Sequence, residues 1–295
     1  MGRIFFLFIF FIFFSCTKQI RVESAPVNNN NLFEFISSLK MPDNLDFCGE
    51  KVPLDIPEVR ERAEREFYML LQQPGQIILY LKRSGKYFEL FDNLLKQNNL
   101  PGDLKYLCVA ESALFMARSS KGAEGLWQFI PETGRKMGLR IDEFVDERRH
   151  PEKSTIAAIK YLKEGYDTFH SWTLTAAGYN MGHSGVSSSL RFQSADDYFS
   201  LFLNEETSRY IFRIILIKEI MLNAEKYGFK IKESEKYSTV KAKIISWNRS
   251  IPDLSDWAKQ LGYTYKDIRL LNLWILQKSL PMPKGRQYEI AVPEK

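Results

Sequence analysis

Residues 101–112 read PGDLKYLCVAES and form the most informative segment of the chain. After a Pro-Gly break, Leu104, Leu107 and Cys108 recur at the spacing of one helix face, and Glu111 falls on that apolar face. An ionised carboxylate in apolar surroundings costs on the order of several kcal/mol, so it must find a partner, stay protonated or face a cleft. The stretch therefore predicts a buried helix that carries one unusual acid.

Helical periodicity extends on both sides of this stretch. From Pro57 onward, Val59, Ala63, Phe67 and Leu70 share one face, and the alternating charges of residues 60–66 predict a solvated face opposite. Further helices are predicted over residues 76–83, 86–98, 102–113, 131–137, 152–169, 172–180 and 205–227. The predicted breaks contain Gly75, Gly85, Pro101, Gly102, Gly138, Pro151, Gly182 and Gly185. Strand-like alternation is nearly absent, so residues 46–230 are predicted to form a mainly α domain.

The character of the sequence changes after Gly228. A charged linker at residues 230–236 precedes a β-prone run at 240–247, two short helices and a closing strand at 288–292. This β-α-α-β order, with Leu271-Asn272 after the second helix, resembles a LysM module, a small glycan-binding fold. The usual Gly-Asp-Thr-Leu entry to the first helix is missing. Residues 237–295 are therefore interpreted either as a saccharide-binding module or as a structural cap packed on the helical domain.

The composition excludes several classes of function. The chain has 295 residues, of which 45% are hydrophobic and 26% charged, as in soluble globular proteins rather than disordered or fibrous ones. Its net charge of +5 is not gathered in a long basic block, which argues against a nucleic-acid partner. Three Cys and three His lie apart, and no phosphate-binding glycine motif occurs. We therefore expect no metal, no cofactor and no nucleic acid.

The amino terminus predicts export. Arg3 precedes eleven apolar residues, Ile4 to Phe14, a run too short for a hydrocarbon core of ~30 Å and typical of a secretory signal. Ser15-Cys16 follows directly and resembles the lipobox of bacterial lipoproteins, in which the Cys is acylated. Residues 1–15 are thus predicted to be a signal peptide, Cys16 the lipidation site, and residues 16–45 a flexible linker. In the alternative, an ordinary signal is cleaved and Cys16 has no role.

Two other thiols follow the predicted lipidation site. Cys48 and Cys108 either form a disulfide in an oxidising compartment or remain free, and the apolar neighbours of Cys108 favour a buried free thiol.

Two later segments carry side chains that suit a sugar site. Residues 122–129 read GAEGLWQF and place Trp127 beside Gln128, while residues 176–182 read AAGYNMG and end a helix with Tyr179 and Asn180. An acid, a flat apolar ring and amide or phenol donors are the components of a carbohydrate site. Each segment also has an ordinary explanation, because a Trp near glycine is usually core and Tyr-Asn often caps a helix.

Together the segments resemble, in order and spacing, the signature motifs of the lytic transglycosylases of the goose-type lysozyme superfamily. The resemblance is carried by Glu111-Ser112, Gly125-Leu126-Trp127-Gln128, Tyr179-Asn180 and Glu206-Thr207-Ser208-Arg209-Tyr210-Ile211. Asp146-Glu147-Arg148-Arg149 and Phe47-Cys48-Gly49-Glu50 point to the membrane-bound D type of that family. The resemblance implies a lysozyme-like helical transglycosylase domain with a helical N-terminal extension, followed by the LysM-like module. Gly178 departs from the family, which usually has Ala before Tyr-Asn, and this glycine is expected to loosen the helix locally.

The resemblance implies cleavage of peptidoglycan without water. Standard glycosidases use two carboxylates, whereas these motifs supply one. Glu111 would therefore protonate the oxygen between N-acetylmuramic acid and N-acetylglucosamine, and then take the proton of the C6 hydroxyl, which leaves a 1,6-anhydromuramoyl end. Ser112, Gln128 and Asn180 would bind the muramoyl substituents, while Tyr179 and Tyr210 would position Glu111 or the sugar.

The implied partners are peptidoglycan glycan strands and, through the lipid anchor, the periplasmic face of a bacterial membrane, with the outer membrane expected; a monomer is also expected. Two alternatives stay open. A noncatalytic wall-binding lipoprotein would keep the fold as a scaffold. A hydrolytic lysozyme would need a second carboxylate near Glu111. The nearest candidates in sequence are Asp142, Asp146 and Glu147, of which the last two are expected to pair with Arg148 or Arg149.

Overall fold

The structure, a computed structural model, describes residues 29–282 and 287–294, so the predicted signal peptide and Cys16 lie outside the described residues. Helix α1 spans Asn29–Ser38 and belongs to a separate unit that ends at Lys40. This helix falls inside the segment predicted to be a flexible linker. That prediction is wrong for residues 29–38, because the apolar residues of the run LFEFI at 32–36 recur at helical spacing.

The second unit, from Met41 onward, contains ten further α-helices among the described residues. Their bounds are α2 Pro57–Leu71, α3 Pro74–Gln97, α4 Lys105–Ser112, α5 Pro131–Lys136, α6 Pro151–Phe169, α7 Trp172–Met181, α8 His183–Gln193, α9 Glu205–Leu222, α10 Leu254–Gln260 and α11 Tyr265–Leu271. Four of these helices begin with proline, whose missing N–H would have no helical partner in the first turn anyway. The prediction of a mainly α protein is confirmed.

Within the part of the chain that the structure describes, six short strands form three antiparallel pairs. The pairs are β1 Asp46–Phe47 with β2 Glu50–Lys51, β3 Ala117–Arg118 with β4 Glu124–Gly125, and β5 Ala242–Trp247 with β6 Tyr288–Pro293. In the last pair the register runs from Ala242 opposite Pro293 to Trp247 opposite Tyr288. With α10 and α11 between β5 and β6, the predicted β-α-α-β order of the C-terminal module is confirmed.

Helix α4 lies in the core of the helical domain. Leu104, just before it, and Leu107, Cys108 and Val109 within it are fully buried, and the helix packs against α9. Trp127 is also fully buried, and its indole Nε1 donates a hydrogen bond of 2.9 Å to Thr155 Oγ1. Of the two interpretations of this tryptophan, core packing is therefore correct, and its ring is not exposed to a sugar.

One predicted helix break is wrong. The sequence predicts separate helices at 76–83 and 86–98, whereas α3 continues through Gly85. A Cβ at Gly85 would come within 2.7 Å of the Tyr237 carbonyl oxygen, and the Tyr237 amide donates to the Lys82 carbonyl. The glycine thus allows a distant segment to approach the helix and does not interrupt it.

Two other helix bounds differ from the prediction. Gly182, at φ +85°, separates α7 from α8, but Gly185 lies inside α8, a helix that the predicted breaks obscured. Helix α9 ends at Leu222, and a short 3₁₀ turn, Ala224–Tyr227, completes the stretch predicted as one helix. Among the described residues, no helix combines the length and apolar character needed to cross a membrane.

The C-terminal module is docked on the helical domain along one segment. Val145, which belongs to the helical domain, is 1% exposed because it lies in the apolar core of the module. On either side of it, the Asp146 amide donates to the Trp274 carbonyl at 2.9 Å, and the Leu276 amide donates to the Phe144 carbonyl at 2.8 Å. This packing is the geometry of a cap. Saccharide binding by the module stays a prediction.

Candidate active site

Glu111 is the penultimate residue of α4, where the helix is closed tightly. Ala113 and Leu114 follow with φ of +54° and +55°, two consecutive non-glycine residues in the left-handed region. The Ala113 amide still donates to the Val109 carbonyl, and Arg83 donates to the Ala113 carbonyl at 3.0 Å. The chain therefore turns away directly after Glu111, which leaves this carboxyl at the end of a buried helix.

The carboxyl group of Glu111 is set between helices α4 and α9. The Tyr210 hydroxyl donates a hydrogen bond to Glu111 Oε1. Burial raises the pKa of Glu111 from 4.5 to about 7, against the hydrogen bond from Tyr210 and the charge of Arg213, which both lower it; Glu206 raises it further. At neutral pH this carboxyl is therefore protonated in a large fraction of molecules, as a general acid requires.

Two cavities meet at Glu111. We call the smaller one, of about 250 Å³, the arginine cavity; its lining residues are Glu66, Ala110, Glu111, Asn180, Glu206, Arg209, Tyr210 and Arg213. We call the larger one, of about 620 Å³, the amide cavity; it is lined by Glu111, Ser119, Ser120, Lys121, Ala123, Gln128, Phe129, Ile130, Thr133, Tyr161, Tyr179, Asn180, Met181, Gly182 and Glu206. Because Glu111, Asn180 and Glu206 line both, an extended ligand could pass the acid on either side.

Gln128 and Tyr179 line the amide cavity, but their donors are already engaged. Gln128 Nε2 donates to the carbonyls of Ala117 and Gly125, at 3.0 and 2.7 Å. The Tyr179 hydroxyl donates to the Trp127 carbonyl at 2.7 Å rather than to Glu111. Gln128 can thus offer its side-chain carbonyl to a ligand, while the Tyr179 hydroxyl fixes the turn that carries Gln128.

Asn180 occupies the wall between the two cavities. Its Oδ1 accepts a hydrogen bond of 2.8 Å from Thr207 Oγ1, and its Nδ2 lies 3.4 Å from Glu206 Oε1. Helix α7 is thereby connected to the first turn of α9. The amide group of Asn180 is held in one orientation beside Glu111.

Ser112 is not brought into either cavity. Its side chain is 7% exposed, and its hydroxyl donates to the Cys108 carbonyl at 3.2 Å, one turn back along α4. The prediction that Ser112 binds the substrate is therefore not supported by this geometry. The physical reason is that Ser112 follows Glu111 by about 100° around the helix, which turns its side chain toward the core.

Two acidic residues at the site were not assigned a role from the sequence. Glu206 opens the fourth motif and lines both cavities. Glu66 is 2% exposed and forms an ion pair with Arg209 in the wall of the arginine cavity. The interpretation of residues 60–66 as a solvated face is wrong for Glu66, which falls on the buried side of α2 next to Phe67.

The carboxylates proposed from sequence as partners of Glu111 lie elsewhere. None of the three lines either cavity among the described residues. Asp142 binds Arg140 at 2.5 Å, and Asp146 forms the expected pair with Arg148 at 2.6 Å. Glu147 pairs with Lys153 at 2.6 Å instead of with an arginine.

The described residues contain no group of three or more His, Cys, Asp and Glu side chains placed to hold a metal ion. Cys48 and Cys108 are free thiols and do not form the disulfide that the sequence left open. Burial raises the pKa of the Cys108 thiol well above its ordinary value, and its sulfur donates to the Leu126 carbonyl at 3.3 Å. Cys108 is thus an inert core residue.

From the sequence, Gly178 was expected to loosen helix α7, but in the structure it also has a packing role. A Cβ at this position would lie 2.5 Å from Cδ2 of His183, whose ring stacks on Tyr161 at 4.3 Å. The glycine therefore makes room for an imidazole ring that packs behind the Tyr179 and Asn180 segment. The space that an alanine would need is taken by this ring.

We expect Gly178→Ala to destabilise the protein by about 1–3 kcal/mol, because the added methyl overpacks against His183. In a His183→Ala background the same change should instead stabilise, since the helix gains roughly 1 kcal/mol when Gly becomes Ala. Urea denaturation of the four variants measures this. Gly75→Ala in α3 is the control, because a Cβ there meets nothing within 4 Å. A stabilising Gly178→Ala in the wild-type background would contradict the packing.

Comparison with known proteins defines the class of the two domains. Residues 90–201 match the Transglycosylase SLT domain family, and residues 243–295 match the Soluble lytic transglycosylase C-terminal LysM-like domain family. The chain therefore carries an SLT domain followed by a LysM-like module, and the resemblance predicted from the motifs is confirmed. Helix α9, which carries Glu206 and Tyr210, lies beyond the matched SLT segment.

Two curated relatives and one solved structure are similar to this chain. Membrane-bound lytic murein transglycosylase D of Escherichia coli (strain K12) is 28% identical over 255 residues, which cover 84% of this chain and 55% of the relative; the same protein of Escherichia coli O6:H1 matches equally. The chain thus spans about half the length of these relatives. The X-ray structure of an inactive mutant of lytic transglycosylase Slt from Pseudomonas aeruginosa matches with a TM-score of 0.38 and 22% identity, over 50% of this chain and 26% of that one.

Proposed function

We propose that this protein is a peptidoglycan lytic transglycosylase that cleaves the bond between N-acetylmuramic acid and N-acetylglucosamine and leaves a 1,6-anhydromuramoyl end. The observation that carries the proposal is the setting of Glu111. Its carboxyl lies where two cavities meet, receives a hydrogen bond from Tyr210, and has its pKa raised by burial to about 7. The SLT match and the names of the relatives support the same class.

In the first half of the reaction, protonated Glu111 gives its proton to the glycosidic oxygen. The bond from C1 of the muramoyl sugar to that oxygen breaks, and its electron pair leaves with the N-acetylglucosamine hydroxyl. The positive charge that develops at C1 is stabilised by the acetamido group of the same sugar. Glu111 is now a carboxylate, held by the hydroxyl of Tyr210.

In the second half, the Glu111 carboxylate takes the proton of the C6 hydroxyl, and the oxygen forms a bond to C1. The ring closes, Glu111 is protonated again, and no water is consumed. Holding the C6 hydroxyl close to C1 makes the step intramolecular, an advantage of up to ~7–11 kcal/mol over an encounter with water. One carboxyl with a pKa near neutrality suits both directions of proton transfer.

Hydrolysis is the second candidate, because Glu206 lines both cavities beside Glu111. Its carboxylate is exposed, lies 3.9 Å from Lys121 and receives the Asn180 amide at 3.4 Å. If Glu206 activated water, Glu206→Gln would abolish the formation of reducing ends. If the cyclisation is correct, Glu206→Gln changes the rate but the products keep their anhydro ends. Mass spectrometry of released fragments separates the two reactions, because an anhydro end lacks one water.

The pH dependence of the reaction should depend on Tyr210. Glu111 must be protonated to act as the acid, so kcat/KM should fall above a pKa of about 7. The hydrogen bond from Tyr210 lowers the pKa of Glu111, so Tyr210→Phe should raise this pKa and move the alkaline limb of the kcat/KM profile to higher pH. Profiles of initial rate on soluble glycan strands measure the shift.

Tyr198→Phe is the matched control for the pH experiment. Tyr198 is a buried tyrosine whose hydroxyl donates to the carbonyls of Thr207 and Ser208 in α9, and among the described residues it makes no hydrogen bond to Glu111. Its replacement should leave the alkaline limb in place. A limb that moves to lower pH in Tyr210→Phe would contradict the assigned hydrogen bond.

The location and layout of the chain extend the proposal. Residues 1–15 would direct export and Cys16 would carry a lipid, placing the SLT domain of residues 46–230 at the periplasmic face of the outer membrane as a monomer that acts on glycan strands. The relatives are described as membrane-bound, which supports this address. Membrane fractionation of Cys16→Ala beside the wild type tests it: release of the variant into the soluble fraction is expected, and a fully soluble wild type would contradict the lipid anchor.

A further inference from the structure

We propose that the C-terminal module positions the wall of the substrate groove: it holds the segment 144–146, and this segment holds the turn at residues 122–129 through Arg148. The proposal rests on the proposed function, because that turn lines the amide cavity at which Glu111 acts. It assigns the module a role in catalysis that does not require the module to bind saccharide.

The first contact in this chain joins the module to the segment. Val145 is buried in the module's apolar core together with Trp274 and Ile275. Val145 and Ile275 form an antiparallel bridge, flanked by hydrogen bonds from the Asp146 amide to the Trp274 carbonyl and from the Leu276 amide to the Phe144 carbonyl. A residue of the helical domain thus completes the core of the module, so the segment moves only if that core opens.

The second contact joins the segment to Arg148. Asp146 Oδ1 accepts from Arg148 Nε at 2.9 Å, and Oδ2 accepts from Nη2 at 2.6 Å, a bidentate pair. Both side chains are 7% exposed. Such a fork fixes the plane of the guanidinium group, which therefore has one orientation.

The third contact joins Arg148 to the groove. Its Nη1 donates to the carbonyls of Gly122 and Phe129, at 2.8 and 2.9 Å, and so connects both ends of the turn. Within the turn, Gly125 has φ +85° and lies so close to the Arg148 backbone that a Cβ would come within 2.0 Å of the Arg148 carbonyl oxygen. Gln128, which lines the amide cavity, donates to the Gly125 carbonyl. The position of this wall therefore depends on Arg148.

Two valines of the same apolar core allow a matched test. Val145, in the docked segment, is 1% exposed, and Val292, in strand β6 of the module itself, is 0% exposed. Both Val→Ala changes remove the same atoms from one core. Only Val145→Ala weakens the attachment of the segment to the module. Hydrogen exchange of the backbone amides of residues 119–130 and turnover of soluble glycan strands are measured in the full-length wild type and both variants.

We expect Val145→Ala to speed exchange in residues 119–130 about tenfold and to lower kcat about three- to tenfold, with KM within about twofold. Val292→Ala should change exchange in that peptide and kcat less than twofold. Unchanged exchange in residues 119–130 of Val145→Ala, or an equal increase in both variants, would overturn the proposal. The exchange readout needs no activity, so a wild type that cleaves nothing would reject the proposed function while this comparison still decides the positioning role.

Discussion

Glu111→Gln should reduce the release of soluble fragments from peptidoglycan by about 10³-fold or more, because it removes the acid and the base of the reaction at once. General acid–base catalysis by one group contributes about 10²–10⁴-fold, and here both proton transfers use the same carboxyl. The amide of Gln can still accept the hydrogen bond from Tyr210, so the site should keep its geometry. Fragment release from purified sacculi measures the loss.

The control for this variant is Glu164→Gln. Glu164 forms an exposed pair with Lys136 at 3.5 Å and lines neither cavity among the described residues. Its replacement should leave fragment release unchanged. Thermal unfolding should show that Glu111→Gln is at least as stable as the wild type near pH 7, because burial raises the pKa of Glu111 and ionising this carboxyl destabilises the folded state at that pH. Release within tenfold of the wild-type rate would reject Glu111 as the catalytic residue.

Asp146→Asn should lower the free energy of unfolding by about 3–5 kcal/mol, the largest stability effect that the described ion pairs suggest. The change keeps the size of the side chain but places an amide nitrogen against the Arg148 guanidinium and leaves that cation uncompensated in a buried position. Arg148 also donates hydrogen bonds to the carbonyls of Gly122 and Phe129, so its side chain cannot turn to solvent without breaking these hydrogen bonds. Urea denaturation measures the difference.

An exposed pair shows what burial contributes to this effect. Lys136 and Glu164 are 68% and 37% exposed, and pairs of this kind contribute about 0–1 kcal/mol. Glu164→Gln should therefore change the unfolding free energy by less than about 1 kcal/mol. If Asp146→Asn were as mild as Glu164→Gln, the buried pair would not be what holds the segment in place.

The helical architecture could be predicted because its signals are local. Apolar residues at helical spacing mark α2 and α4, prolines mark the first turns, and the β-α-α-β order of the module follows from short runs between breaks. Gly85 shows where local signals fail. Its role depends on the approach of Tyr237, which lies about 150 residues away in sequence.

The candidate site could be predicted only in part, for the same reason. Glu111, Gln128, Tyr179, Asn180 and Tyr210 were found from motifs, and each of them lines at least one of the two cavities. The hydrogen-bond partners of these side chains could not be predicted from the sequence. The Tyr179 hydroxyl, for example, donates to the carbonyl of Trp127, which lies on another segment.

Packing accounts for the two residues whose surroundings differ from the prediction. Ser112 donates its hydroxyl to the Cys108 carbonyl one turn back in α4, and Glu66 is buried where α2 packs against α9. Alternating charges along one helix predict an exposed face. Burial of one of these charges depends on which helix packs against it, and no motif in this sequence indicates that helix.

In the proposed reaction, one carboxyl closes a sugar ring without water. The most direct test is to incubate the purified protein with peptidoglycan sacculi and to determine the mass of the released muropeptide ends. We expect 1,6-anhydromuramoyl ends, each lighter by one water than a reducing end, and we expect none with Glu111→Gln. Fragments that carry ordinary reducing ends, or the same anhydro products from Glu111→Gln at wild-type rate, would contradict the proposed reaction.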